Sequence, residues 1–490
     1  MKTINDYVKH LSAILCGEMI PHAGIVSHVT CDSRQVKPGT LFCAIAGSVS
    51  NGHDYIKSAI TSGAIGIIYS QDLDEYDPDV SYLKVKQQYW AYAMACELFF
   101  DCPAKEFRLH GITGTNGKTT TAFLLEHILT KSNLKTGLIT TVECRDGKNT
   151  AASLHTTPEA WDLQNLFRRI ADNACHDAVM EVSSHGLDQF RPGSAKFHSA
   201  VFTNLTGDHL DYHENMEKYF TAKKHLFLHY LANNGSAVIN IDDEYGKALA
   251  AEFNNKKVVS YGQGGDADCR IVNLQTKISG TDFELEFKDN TFKITSPLIG
   301  EYNAYNACAA FIAAVSSGVE GQAAAAALSE DIRIPGRLEH FTDARGVSYF
   351  VDYAHTDDAL RNVLKNLRII AGKRIITVFG CGGNRDRSKR PRMAVAAAEY
   401  SDLLIITSDN PRKENPLDII DEIKTGVPDN TEFIIEPDRE KAIKTASKLA
   451  REGDVVLVAG KGHETYQDIN GKLFDFDDRK IIMSLGAVQK

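Results

Sequence analysis

Residues 109–125 read L-H-G-I-T-G-T-N-G-K-T-T-T-A-F-L-L: an apolar lead-in, a turn punctuated by glycine, then an amphipathic run. That order of residue types can build a cradle for phosphate. Gly114 and Gly117 can take dihedrals closed to other residues, so the backbone N–H groups around Thr115 and Asn116 converge on one anion at a helix start, where the helix dipole also favours negative charge. Lys118 would then reach the terminal phosphates, and the Thr119 hydroxyl, followed by Thr120, would meet Mg²⁺. The match to G-x-x-x-x-G-K-[ST] is imperfect, because Ile112 stands five positions before Gly117. A G-K-T triplet also occurs in ordinary surface turns, so the rest of the chain has to decide.

Three further segments carry groups that could act on a phosphate. Glu181 ends an apolar stretch (177–181), where a carboxylate can reach a nucleotide-bound Mg²⁺, although an edge-strand acid would look the same. Asp208, His209, Asp211 and His213 follow another apolar run, at a spacing that fits no standard zinc site and equally suits a polar loop. Lys223 and Lys224, taken alone, read as a solvated helix face.

The elements that must position these groups follow from length and patterning. With 490 residues the chain is too long for one core and predicts about three domains. A break at D-C-P-A (101–104) and another at R-I-P-G-R (333–337) divide it into 1–104, 105–332 and 333–490. The first segment alternates short apolar runs with turns and one helix near 89–100, a small α/β domain. In the second, strands at 137–141, 177–181, 200–204 and 236–241 alternate with helices, which predicts a mostly parallel sheet around the phosphate loop. Alternating residues up to 295 predict an antiparallel insert before a helix at 302–317. The third repeats the strand–helix order, with strands at 348–353, 374–379, 403–408, 432–436 and 455–459, as in an open Rossmann-like sheet.

Composition excludes several classes. The charge of −10 and the lack of any basic block argue against a nucleic-acid partner, and no run of 18 apolar residues predicts a membrane span. Ten scattered cysteines without C-x-x-C spacing, and no signal peptide, point to a reduced, cytoplasmic protein.

Taken in order, the motifs resemble those of the Mur ligases, the ATP-dependent amide-forming enzymes of cell-wall precursor synthesis. They are G-T-N-G-K-T (114–119), E-V-S-S-H (181–185), N-L-T-G-D-H-L-D-Y-H (204–213), A-K (222–223), Y-N-A-Y-N-A (302–307), P-G-R (335–337), D-Y-A-H-T (352–356) and K-G-H-E (461–464). The resemblance implies ATP as substrate and two Mg²⁺ ions, one held by Thr119 and Glu181, the other by His209 and by Lys223 carrying an N6-carboxyl group. It implies that Asn303 and Asn306 line the adenine pocket, that Arg337 and Asp352 contact phosphate and ribose, and that His355 lies near the same cleft. The donor carboxylate would become an acyl phosphate and then be attacked by an amine.

Within the family the chain is similar to members that add the third peptide residue to a UDP-linked muramoyl dipeptide. Ser33 and the turn Ser48, Val49, Ser50 would hold the uridine diphosphate, with Asn51 where Asp is usual. His155, Thr156, Thr157, Ser183, Gln189 and Arg191 would contact sugar and peptide. D-N-P-R (Asp409, Asn410, Pro411, Arg412) resembles the signature for meso-diaminopimelate, whose extra carboxylate a guanidinium grips in bidentate fashion. Arg385, Gly460 and Glu464 would complete that pocket, and Asp357, in place of the usual Pro, should be neutral. The rival readings are an L-lysine-adding member, a folate polyglutamate synthetase, which has no use for residues 1–104, and a P-loop switch or motor ATPase. A monomer is expected.

Overall fold

Long apolar runs without alternation, such as I-I-T-V-F and V-V-L-V-A, form strands buried on both faces, and the C-terminal sheet is built from them. In the computed structural model, which describes residues 2–16, 22–47, 50–253 and 257–490, this sheet has seven strands. Their order is Phe433–Ile435, Leu403–Ile406, Ile375–Phe379, Val455–Ala459, Ser348–Asp352, Glu339–Thr342 and Val488–Gln489. The first five pair in parallel and the last two antiparallel. Phe350, Ile375, Leu404, Ile406 and Leu457 pack into one core, while their neighbours Val351, Ile376, Leu403, Ile405 and Val456 pack into another. The two-residue period of a strand thus supplies both faces of the sheet.

Helix Asp357–Ile370 covers one face through Leu360, Val363, Leu364 and Leu367, a stripe at helical spacing. Its N-cap is Thr356, whose hydroxyl accepts from Ala359 N at 3.2 Å. Asp357 opens the first turn, where a negative charge suits the dipole.

The N-terminal sheet is smaller and wholly parallel: His28–Thr30, Thr40–Cys43, Ala64–Tyr69 and Ser81–Lys84. In the middle of the chain Asp177–Glu181 lies parallel between Arg108–Thr113 and Thr136–Ile139, with Glu181 in register with Ile112. The insert is antiparallel as expected, formed by Cys269–Lys277, Gly280–Phe287 and Asn290–Ser296. The described chain forms two compact units, one of 1–113, 129–201 and 221–237, the other of 114–128, 202–220 and 238–490, so both draw on the middle segment. Among the described residues no helix is long and apolar enough to cross a membrane. All ten cysteines are free.

Several elements lack a sequence signal strong enough to foresee. Helix Ile4–His10 is only seven residues long and mostly polar, whereas the largely solvent-facing hairpin of Tyr466–Ile469 and Lys472–Asp475 does carry a signal, the Asn470-Gly471 turn between two short alternating runs. Hairpin Glu143–Arg145 with Thr150–Ala152 is equally polar.

One buried ion pair ties the carboxyl ends of two central strands. Arg439 and Asp478 are fully buried and paired through Nε at 2.9 Å and Nη2 at 2.8 Å, and Nη2 also donates to the Ala459 carbonyl at 2.9 Å. Removing one member strands the other charge in the interior, so Arg439→Met should cost about 3 to 5 kcal/mol in urea unfolding. A loss below about 1 kcal/mol would show that the pair does not hold these strands together.

Candidate functional site

The phosphate loop is shaped from outside itself. Gly114 has φ +143° and Gly117 φ +87°; a Cβ on Gly114 would sit 1.9 Å from Thr203 Oγ1, and one on Gly117 2.3 Å from Asn306 Oδ1. Only glycine permits both the left-handed dihedrals and the close approach. The Thr203 hydroxyl donates to the Asn116 carbonyl at 2.6 Å, and Asn116 N donates to Asn204 Oδ1 at 2.9 Å. Thr115 N donates to the Asn204 carbonyl at 2.9 Å, and Thr206 N to Thr115 Oγ1 at 3.0 Å. Asn116 Nδ2 reaches Asp358 Oδ2 at 2.8 Å.

Lys118 folds back over the loop, its Nζ donating to the carbonyls of Gly114 at 3.0 Å and Thr115 at 2.7 Å. Thr119 and Thr120 are buried, and Arg337 Nη2 donates to Thr119 Oγ1 at 2.8 Å while its guanidinium lies 5.0 Å from the Tyr353 ring centre. Asn306 Nδ2 donates to Asn303 Oδ1 at 3.1 Å, and Asn303 Nδ2 to the Ile299 carbonyl at 2.8 Å. Asp352 accepts from Leu338 N and Ala354 N at 2.8 Å each; burial raises its pKa. The structure thus brings the nucleotide candidates Gly114 to Thr119, Asn306 and Arg337 together, with Asn303 supporting Asn306 and Asp352 under the charge of Arg337.

Beside it lies a cluster of four titratable groups that the sequence pointed to only in part. Burial works against ionisation of Asp208, but His209, His355 and Lys389 outweigh it and hold the carboxyl at about 2. His209 Nε2 is 3.4 Å from Asp208 Oδ2, and His209 itself has a left-handed φ of +55°. Burial, then Lys389, lowers the His355 pKa, and its Nδ1–H donates to the Tyr353 carbonyl at 3.0 Å.

In the other unit Glu181 is 1% exposed and accepts from Thr141 N at 2.9 Å. Lys223 is also 1% exposed, so the solvated-face alternative fails for it, whereas Lys224 is half-buried. A cleft of about 220 Å³ is lined by Cys31, Ser50, Tyr89, Glu159, Gln189 and Arg191, among others. Arg191 is set from three sides: Nε and Nη2 donate to Gln189 Oε1, Nη1 donates to the Thr157 carbonyl at 2.6 Å, and Nη2 lies 2.5 Å from Glu159. Ser50, Gln189 and Arg191 therefore line one cleft. Thr157 is completely buried, its hydroxyl donating to the Glu181 carbonyl at 3.0 Å and accepting from Ser183 N at 2.9 Å, so it shapes the turn while Thr156 and His155 lie nearer the surface. Ser183 caps the next helix by accepting from Gly186 N at 3.0 Å. Ser33 opens a 3₁₀ turn capped by Asp32. Asn51 Oδ1 accepts from His53 N at 3.1 Å, capping another short turn; Ser48 and Val49 lie outside the described residues.

The loops at the carboxyl ends of the C-terminal strands form a third cluster. Asn410 Nδ2 donates to Glu464 Oε2 at 2.8 Å, and Lys461, wholly buried, donates to Asn410 Oδ1 at 3.0 Å and Glu464 Oε2 at 2.9 Å. Lys461 opens the K-G-H-E motif, the sequence signal for its place in this cluster. Gly460, φ +112°, lets the chain pass within 2.5 Å (measured to a would-be Cβ) of Asp409 Oδ2. Arg412 sits at φ +52°, next to Pro411, with Nη1 donating to the Gly383 carbonyl at 2.7 Å and Nε 4.0 Å from Asp468. The hairpin of Tyr466–Ile469 and Lys472–Asp475 clamps it: Arg412 N donates to the Asp468 carbonyl at 3.0 Å, and Asn470 N to the Arg412 carbonyl at 2.7 Å. Arg385 is exposed in the neighbouring loop.

A phosphate loop closing a parallel strand, followed by a separate open sheet with polar loops at its carboxyl ends, defines a P-loop α/β nucleotide-using protein. The particular family comes from comparison with known proteins. "Mur ligase family, catalytic domain" matches residues 25–89, "Mur ligase middle domain" residues 112–314, and "Mur ligase, glutamate ligase domain" residues 336–462. A UDP-N-acetylmuramoyl-L-alanyl-D-glutamate–2,6-diaminopimelate ligase of Solibacter usitatus is 43% identical over 93% of this chain and 92% of its own. One of Geobacter sulfurreducens is 42% identical over 93% of each. A solved structure bearing the same enzyme name is 33% identical, with a TM-score of 0.66 over 94% of each chain. The chain belongs to the Mur ligase family. A Mycobacterium tuberculosis folylpolyglutamate synthase shares the fold at 19% identity and a TM-score of 0.63, over 75% of this chain.

The Asp208 environment has a consequence for acid stability. Because its folded pKa of about 2 lies below the ordinary 3.8, it contributes stability above pH about 4 that is lost as pH falls toward about 2. The unfolding free-energy difference between the wild type and Asp208→Asn should therefore shrink across that window; a difference independent of pH there would refute the assignment.

Proposed function

We propose that this ligase adds meso-2,6-diaminopimelate to the D-glutamate of UDP-N-acetylmuramoyl-L-alanyl-D-glutamate in the cytoplasm, with ATP converted to ADP and phosphate, in peptidoglycan synthesis. The observation that carries it is Arg412, pinned by backbone and side chain in the same loop cluster as Asn410, Lys461 and Glu464. This supports the specificity that the relatives' names state.

In this reading the glutamate carboxylate attacks the γ-phosphorus, ADP leaves, and the resulting acyl phosphate is opened by the diaminopimelate amine with loss of phosphate. Lys118 and the first amides of helix Lys118–Lys131 hold the nucleotide's phosphates, because the Thr115 and Asn116 amides expected to meet the anion are taken by Asn204, and Arg337 leaves Thr119 to meet them. Thr119 in one unit and Glu181 in the other each offer a buried hard oxygen of the kind Mg²⁺ takes, buried Lys223, carboxylated on N6, would offer another, and His209 would supply a softer nitrogen. Mg²⁺, when bound, supplies the positive charge that lets two anions approach. Gln189 and Arg191 orient the dipeptide in the cleft that Ser50 shares.

Arg412 keeps 29% of its side chain exposed and has a carbonyl partner, so selection against L-lysine by this one group is about 1.5 to 3 kcal/mol, smaller than for a fully buried guanidinium. ADP release with the UDP-linked dipeptide should therefore favour meso-diaminopimelate over L-lysine by roughly tenfold to a hundredfold through this contact, and Arg412→Ala should erase that share. Equal turnover of both amines by the wild type would overturn the specificity. ADP release in the absence of peptide and amine would favour a switch ATPase instead.

The role given to Lys223 is tested separately. Lys223→Ala should lose nearly all activity and recover part of it with added short-chain carboxylate; an active variant would remove the carbamate from the scheme.

A further inference from the structure

The sequence shows no zinc-type spacing, but tertiary structure gathers a ligand set that spacing cannot reveal. Helix Ile4–His10 ends in His10, helix Gln88–Phe99 carries Glu97 near its end, and Cys102 follows in a left-handed turn at φ +53°. Cys102 N donates to the Glu97 carbonyl at 2.8 Å, which turns the thiol back over the helix end. One ligand atom each from His10, Glu97 and Cys102 lies within 4.8 Å of the others.

We propose that His10, Glu97 and Cys102 form a binding site for a divalent cation of the zinc class, remote in kind and residues from the Mg²⁺ and ATP chemistry. Nitrogen, oxygen and sulfur together select a borderline-soft ion over Mg²⁺ or Ca²⁺.

Three observations carry this. First, His10 Nε2 is sealed from solvent and has no hydrogen-bond partner, while the ring is hydrogen-bonded to the Met94 backbone. An imidazole fixed through one nitrogen with the other lone pair left open is how metal-binding histidines are oriented. Burial lowers its pKa, so the lone pair stays available at neutral pH. Second, Glu97 is 2% exposed, and among the described residues it makes no ion pair. It is aimed by Ser194, whose N and Oγ donate to it at 2.8 and 2.6 Å, and Gly193, φ +70°, allows that approach because a Cβ there would lie 2.8 Å from Glu97 Oε2. Third, the charges close: one carboxylate, one thiolate and one M²⁺ sum to zero, which removes the penalty of a buried anion.

Binding forms metal bonds to Nε2, a Glu97 oxygen and Sγ, and expels the Cys102 thiol proton to solvent. A tetrahedral zinc site needs ligand atoms about 3.5 Å apart, so the side chains close by about 1 Å, and water takes the fourth position. The ion would clip the first helix to the 101–104 boundary.

The test uses the full-length chain, stripped of metal under reducing conditions and titrated with Co²⁺ as a spectroscopic probe, with Zn²⁺ as competitor. One equivalent should give a thiolate-to-cobalt charge-transfer band and four-coordinate visible bands, displaced by Zn²⁺. Cys102→Ser should abolish the charge-transfer band, His10→Gln should weaken binding by at least about tenfold, and Cys31→Ser, at an exposed thiol, should change neither. Should Cys102→Ser not fold, His10→Gln carries the same comparison. No thiolate band at one equivalent, or a band undiminished in Cys102→Ser or His10→Gln, would overturn the site.

Discussion

A row of backbone amides can hold a polyphosphate only if their carbonyl partners are kept turned away, and a short loop cannot do that for itself. Here Thr203 and Asn204 hold Asn116 by both its carbonyl and its amide, and Asn306 fills the space where a side chain at position 117 would stand. The loop is therefore pre-shaped before any anion arrives, and the cost of ordering it is met during folding. Lys118, donating to two loop carbonyls, keeps its charge over the anion's place in the meantime.

The same logic recurs wherever charge must wait for a partner. Arg191 is braced by Gln189 and the Thr157 carbonyl, and Arg412 by Gly383 and a hairpin strand, so neither guanidinium has to search for its geometry. Glu464 is different, since Lys461 already neutralises it, and an incoming ammonium would share that carboxylate. Asp208 likewise shares a setting with His209, His355 and Lys389, which keeps an anion ionised in a place where burial alone would protonate it.

Much of the fold was legible because parallel strands buried on both faces write themselves as apolar runs. The strands at 177–181, 403–406 and 455–459, the helix of residues 88–99 and the antiparallel insert all carry that signal or its alternating counterpart. The hairpin of residues 466–475 carried a local signal in its Asn470-Gly471 turn, but its clamp on Arg412, more than fifty residues away, did not. Among site residues, the phosphate loop was readable from local glycine spacing and Lys461 from the K-G-H-E motif, whereas the burial of Lys223 and the involvement of Lys389 were not.

By itself the sequence determined the residue types at each strand end, the glycines where only glycine fits, and through ordered motifs the family. Those are local properties, carried by spacing along the chain. Tertiary structure alone decided that Lys223 is buried while Lys224 beside it is not, that Thr157 turns inward, and that Asn116 meets Asp358 across 242 positions. It also decided that His10, Glu97 and Cys102 face one point. The reason is that burial and charge pairing depend on which elements stack, and that is set by the packing of whole sheets and helices, which no local spacing encodes.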